Sequence, residues 1–123
     1  MILRSVDHVS FAVRDLARSL HFYCDVLGLQ QAPRPDLGFP GAWLTVGDAQ
    51  IHLLEVPADL DVGSPAPQLN PVASHAAFAI DDHAAVVSLL RREGLEVLAF
   101  ESSGQMWVQD PDGHIIELIS TRR

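Results

Sequence analysis

The sequence predicts an α+β fold of two tandem βαβββ modules. Three observations carry this: an internal repeat, a regular switch from two-residue to helical apolar spacing within each copy, and a proline-rich stretch between the copies. The 123 residues make one ordinary domain, 1–123, long enough to bury a core. Its parts are a module over 1–57, a linker over 58–72 and a module over 73–123.

The repeat is read by laying DHVSFAVRDLARSLHFYCDVLGLQ, from Asp7, over SHAAFAIDDHAAVVSLLRREGLEV, from Ser74. His8 then meets His75, Phe11 meets Phe78, Val13 meets Ile80 and Asp15 meets Asp82. With one residue dropped, Gly28 meets Gly94. Further on Trp43 falls over Trp107, and IHLLEV from Ile51 falls over IELIST from Ile116, so His52 lies over Glu117. Self-similarity at this spacing means one supersecondary plan used twice.

Val6 to Val13 alternates as a strand, with Val9, Phe11 and Val13 on one face and His8, Ser10 and Ala12 on the other. Asp15 is an N-cap for a helix carrying Leu16, Leu20, Tyr23 and Leu27 at helical spacing, and Gly28 stops it. Strands follow over 29–32, 42–46 and 50–56, the last two joined by the turn Gly47-Asp48. The linker holds Pro57 at its threshold, then Pro65, Pro67 and Pro71, and little apolar periodicity. The second module repeats the plan with a strand over 76–80, a helix over 82–93, a stop at Gly94, and strands over 96–100, 105–109 and 115–120. The turn Asp110-Pro111-Asp112-Gly113 joins the last two.

Eight Lys and Arg against sixteen Asp and Glu give a net charge of −8. This balance repels phosphate backbones, so no nucleic-acid partner is expected. No apolar run approaches the roughly 18 residues of a membrane span, so no membrane partner is expected. The charged start lacks a signal-peptide pattern, and the one cysteine, Cys24, fits a reducing compartment. Together these predict a cytoplasmic protein.

Strand parity selects the candidate site. Apolar residues 9, 11 and 13 need a helix to cover them, so His8 faces away from it, as does His75 beside Ala77 and Ala79. Ile51, Leu53, Ile116 and Leu118 form the covered set of the last strands, leaving His52 and Glu117 on the open faces. If the two open faces curl into one cup, His8, His52, His75 and Glu117 meet there. Three imidazoles and a carboxylate suit one Zn, Ni, Fe(II), Co or Mn ion, with His52 either a ligand or a partner behind the ligands. The competing reading of each single histidine is a hydrogen-bonded structural residue.

Trp43, Phe39, Phe100, Met106 and Trp107 are candidates for an apolar substrate pocket, with strand core as their competing role. His21, His83 and His114 are expected on solvated surface. Glu55 has the opposite parity to His52, which argues against it as a ligand. Asp81, Asp82, Asp110 and Asp112 read as cap and turn residues, and Cys24 as a buried structural thiol. No nucleotide-binding glycine loop or nucleophile elbow occurs.

The segments DHVSFAVRDLARSLHFYCDVLGL, QIHLLE, SHAAFAIDD and DPDGHIIELI resemble the vicinal oxygen chelate superfamily, which covers glyoxalases, bleomycin resistance proteins and dioxygenases. The resemblance spans all but the linker. It implies a cup of mixed β-sheet with helices outside, a divalent ion per site, and ligands from the first and last strands of each module. His8, His52, His75 and Glu117 stand at those positions, and Glu117 is the implied catalytic proton carrier. The implied function is a glyoxalase-like lyase or isomerase step on a small oxygenated metabolite, through a metal-stabilised oxyanion, in a homodimer. An extradiol-type dioxygenase and a non-catalytic drug-binding protein are the alternatives. Bacterial glyoxalase I has two histidines and two glutamates, whereas this chain has His52 in place of one carboxylate. That departure tells against lactoylglutathione lyase activity, and only Arg4, Arg14 and Arg34 offer contacts for glutathione carboxylates.

Overall fold

In the computed structural model, residues 1–121 are described. The chain divides into two compact units, Met1–Gly63 and a second that begins at Ser64. The first runs β1 (His8–Val13), α1 (Leu16–Leu20), a π-helical segment (His21–Val26), β2 (Gln30–Ala32), β3 (Gly41–Val46) and β4 (Ala49–Glu55). The second runs β5 (His75–Ile80), α2 (His83–Arg92), β6 (Leu98–Phe100), β7 (Gln105–Gln109) and β8 (Ile115–Ser120). Each unit is therefore βαβββ, and the fold is α+β with two tandem modules.

The sheet orders are β1-β4-β3-β2 and β5-β8-β7-β6. In both, the first strand pairs in parallel with the last, and the other pairings are antiparallel. The helix between the first two strands makes this possible, since a parallel pair needs a crossover rather than a hairpin.

One face of each sheet is covered. In the first unit Val13, Ala42, Leu44, Ile51 and Leu53 are buried with Phe22 and Tyr23 of the helical segment. The register sets Leu44 opposite Ile51 and Ala42 opposite Leu53. In the second, Met106, Val108, Ile116 and Leu118 are buried with Leu90 of α2. Met106 lies opposite Leu118 and is fully enclosed. Its expected place in a pocket wall is thus corrected: two-residue alternation puts it on the covered face, one step out of phase with Trp107.

Helix termini follow the sequence closely. Asp15 accepts from Arg18 N at 3.1 Å and Asp82 accepts from Ala85 N at 3.1 Å. Glu55 adds a second carboxylate at the start of α1, accepting from Leu16 N at 2.8 Å. This explains a charged residue at the end of a buried strand: it meets free amides and the positive helix end. The first helix departs from its expected regular form by widening from His21 onward. Consecutive residues Phe22 and Tyr23 are both buried, with rings edge-on at 4.8 Å. A wider turn reduces the rotation between successive residues, which helps the two rings to share the sheet-facing side.

The proline-rich stretch is tied down at both ends. Arg14 donates to the carbonyls of Pro57 and Leu60, and Gln109 donates to Ala66 O. In the second unit Asp110 accepts from the amides of Asp112 and His114, both at 2.9 Å, which makes the expected turn. Asp110 is accordingly buried despite its charge. No helix among the described residues is long and apolar enough to cross a membrane.

Two glycines separate backbone strain from crowding. Gly94, at φ 82°, has open space where a Cβ would stand, whereas at Gly104, φ 74°, a Cβ would meet Ser120 O at 2.5 Å. Gly94→Ala is expected to cost about 1–2 kcal/mol from the left-handed conformation alone. Gly104→Ala should cost roughly 2–5 kcal/mol, because overpacking adds to the same strain. Urea denaturation of both variants checks this; equal losses would mean that the Ser120 carbonyl yields without cost.

Candidate metal centre

Residues on the uncovered face of each sheet form two different clusters. In the first unit His8 and His52 stack at 3.9 Å between ring centroids with planes 13° apart. Trp43, directly opposite His52 in the ladder, stacks on its other side at 4.5 Å and 9°. The three rings thus form a layered column. His8 Nδ1 is 2.7 Å from Asp7 Oδ1, which leaves Nε2 as its free ring nitrogen. His52 Nε2 is 2.8 Å from Gln50 Oε1, two residues back on the same strand face.

The electrostatics of this column favour a neutral His52 ring. Burial holds the His52 imidazole below its ordinary pKa, and nearby His8 and Arg34 add to the effect while Asp7 opposes it. The hydrogen bond with His8 lowers the Asp7 carboxyl. Arg34 is itself fixed, donating to Phe39 O at 3.1 Å with its guanidinium 5.0 Å from the Phe39 ring centre.

The second unit presents an imidazole and a carboxylate instead. His75 Nε2 is 3.0 Å from Glu117 Oε1, while His75 Nδ1 is 2.7 Å from Ala73 O. Glu117 is 7% exposed, and its Oε2 accepts from Gln105 Nε2 at 3.2 Å. Trp107 is directly opposite Glu117 in the ladder. Its Nε1 is buried and has no hydrogen-bond partner among the described residues. Phe100 meets the Trp107 ring edge-on at 5.8 Å.

The expected ligands are therefore brought together as two pairs, His8 with His52 and His75 with Glu117. Among the described residues, no three His, Cys, Asp or Glu side chains are grouped so as to hold a metal ion. The donor chemistry of each pair can still be tested. The Ala73 carbonyl requires a proton on His75 Nδ1, so neutral His75 turns a lone pair at Nε2 toward the Glu117 carboxylate. Two acceptors facing each other need an intervening proton or cation, and a shared metal ion satisfies the same pair. His8 is likewise oriented from behind by Asp7. His52 fits less directly, because its Nε2 already meets Gln50.

Five other residues singled out by the sequence have definite places. Cys24 is partly buried, and burial followed by the neighbouring Asp25 pushes its thiol up, as suits an unreactive thiol. His21 is exposed and meets Asp25 at 3.0 Å. His83 is corrected: it is part-buried, with Nε2 at 2.9 Å from Gln105 O, so it ties the start of α2 to β7. Phe39 and Phe100 are 39% and 48% exposed, in keeping with contact surface and not with core. The sequence reading missed Gln50 and Gln105. Gln50 shares the parity of His52, which was a usable signal; Gln105 reaches Glu117 only through the β7–β8 register.

A His52 ring held below the ordinary histidine value of about 6.5 binds fewer protons in the folded chain than in the unfolded one. Its contribution to stability is full above the unfolded pKa and is lost as pH falls through the folded one. The expected NMR titration of the His52 ring has its midpoint below that value, and His8→Ala raises it. A midpoint at or above the unfolded value would overturn the assignment of burial as the main cause.

A sequence profile of the Glyoxalase/Bleomycin resistance protein/Dioxygenase superfamily matches residues 5–118. The chain is 34% identical to Glyoxylase I 4 of Arabidopsis thaliana over 94% of this chain and 70% of that protein. It is 30% identical to the metallothiol transferase FosB of Staphylococcus epidermidis, over 96% of this chain and 82% of the other. A crystal structure of a glyoxalase family protein from Bacillus anthracis shares the fold, with a TM-score of 0.79 and 23% identity over 99% and 98% of the two chains. With these matches lying on the same strands that carry the two clusters, the chain belongs to the glyoxalase/bleomycin resistance protein/dioxygenase superfamily, the vicinal oxygen chelate proteins.

Proposed function

We propose that the protein is a metal-dependent enzyme, a glyoxalase-like lyase or isomerase acting on a small oxygenated metabolite. The observation that carries this reading is the pairing of His75 with the buried Glu117, whose facing nitrogen and oxygen are 3.0 Å apart. His8, His75 and Glu117 would hold one divalent ion, Zn, Ni, Fe(II), Co or Mn, with His52 as the fourth ligand once its ring leaves Gln50. When bound, the ion supplies Lewis-acid stabilisation of an oxyanion on two adjacent substrate oxygens.

The chain's own residues account for the rest. Glu117 moves the substrate proton when its carboxylate is released from the ion, and its burial limits access of bulk water. The unpartnered Trp107 Nε1 donates to a substrate oxygen. The ring column of Trp43, His52 and His8 and the exposed Phe39 and Phe100 supply flat apolar contact. In this reading the protein works as a cytoplasmic homodimer, and it takes a small molecule as its only partner besides its second copy.

The contact between His52 and Gln50 favours a second reading. With His52 kept out of the ligand set, two histidines and one carboxylate remain, the ligands of an Fe(II) extradiol-type dioxygenase.

Chelator-stripped protein reconstituted with each candidate ion is expected to retain about one ion per site, with His75→Ala and Glu117→Ala each losing it. Elemental analysis after gel filtration measures this. Retention in both variants, or no uptake by the parent protein, would sink the proposal; selective Fe(II) uptake with oxygen consumption on catechols would establish the second reading.

A further inference from the structure

We propose that Gln105 is a positioning residue that fixes Glu117 as a one-oxygen donor, its carboxamide occupying Oε2 so that Oε1 alone stays free for a metal ion. This rests on the metal-dependent reading above and assigns a role to a residue outside the ligand set.

The Glu117 carboxylate is buried, and its two oxygens have different partners: Oε1 faces His75 Nε2 at 3.0 Å, and Oε2 accepts from Gln105 Nε2 at 3.2 Å. Gln105 is held firmly enough to enforce this difference. It is the first residue of β7, flanked in the ladder by Phe100 and Ile119. Its carbonyl accepts from His83 Nε2 at 2.9 Å, which anchors the strand start to α2. The preceding residue, Gly104, accepts from Ser120 N at 2.8 Å and packs too closely on Ser120 O for any side chain.

The chemistry of the amide matters as much as its place. A neutral donor satisfies one carboxylate oxygen without neutralising the charge, whereas Lys or Arg there would compete with a metal cation. An unrestrained carboxylate can bind through both oxygens. Restraining Oε2 saves one coordination position, and a substrate that binds through two adjacent oxygens needs two free positions.

The test is Co²⁺ binding by the chelator-treated full chain, read by competition with a chromophoric chelator and by the visible absorption of the cobalt form. Gln105→Met removes the donor at nearly constant length, and Gln105→Asn keeps the amide one methylene short. Both are expected to bind Co²⁺ about 10–100-fold more weakly than the parent. The visible bands should also change in shape, because the freed Oε2 alters the coordination; a purely structural defect would lower thermal stability without changing the bands. Parental affinity and bands in either folded variant would overturn the role of Gln105, provided that Glu117→Gln abolishes binding. If the parent itself takes up no Co²⁺, the metal-dependent reading fails and this proposal falls with it.

Discussion

The parallel pairing of the first strand of each unit with the last is the constraint from which the rest of the structure follows. It places β1 beside β4 and β5 beside β8, so residues far apart in sequence share one face of one sheet. It also demands a crossover helix, which covers the opposite face and takes the large apolar side chains. The histidines and Glu117 at the intervening positions are then left on the side away from that helix. His8 and His52, and His75 and Glu117, are neighbours for this reason alone.

The two units use that common arrangement in electrically different ways. Stacked rings and a shielded imidazole dominate the first; the second buries a carboxylate with one imidazole and one amide. Burial and the neighbouring His8 disfavour His52 as a cation. The carboxylate of the second unit has a partner at each oxygen, His75 Nε2 at 3.0 Å from Oε1 and the Gln105 amide donating to Oε2 at 3.2 Å.

Much of the fold was legible because its signals are local. The repeat, the caps at Asp15 and Asp82, the stop at Gly94 and the two hairpin turns each depend on a few adjacent residues. Parity alone placed His8, His52, His75 and Glu117 on the uncovered faces. The same rule assigns Met106 to the core, but it was outweighed by the attraction of a large apolar side chain near Trp107. The widened helix turn was not legible, since leucine spacing from Leu16 to Leu27 fits an ordinary helix equally well. Contacts that need a cross-strand or helix-to-strand register were missed for a similar reason: His83 with Gln105, Gln105 with Glu117, and Glu55 with Leu16 N. Alternation reports which face a side chain takes, and says nothing of which neighbour it meets.

The same strand position holds His52 in one module and Glu117 in the other. Two identical modules would carry every donor twice, and the number of carboxylates at this strand position would be even: none or two. Joining the copies in one chain removes that parity restriction. Each half can then drift while its backbone plan stays fixed, and an odd count becomes reachable by a single substitution. Tandem duplication here acts as a means of breaking chemical symmetry without disturbing architectural symmetry.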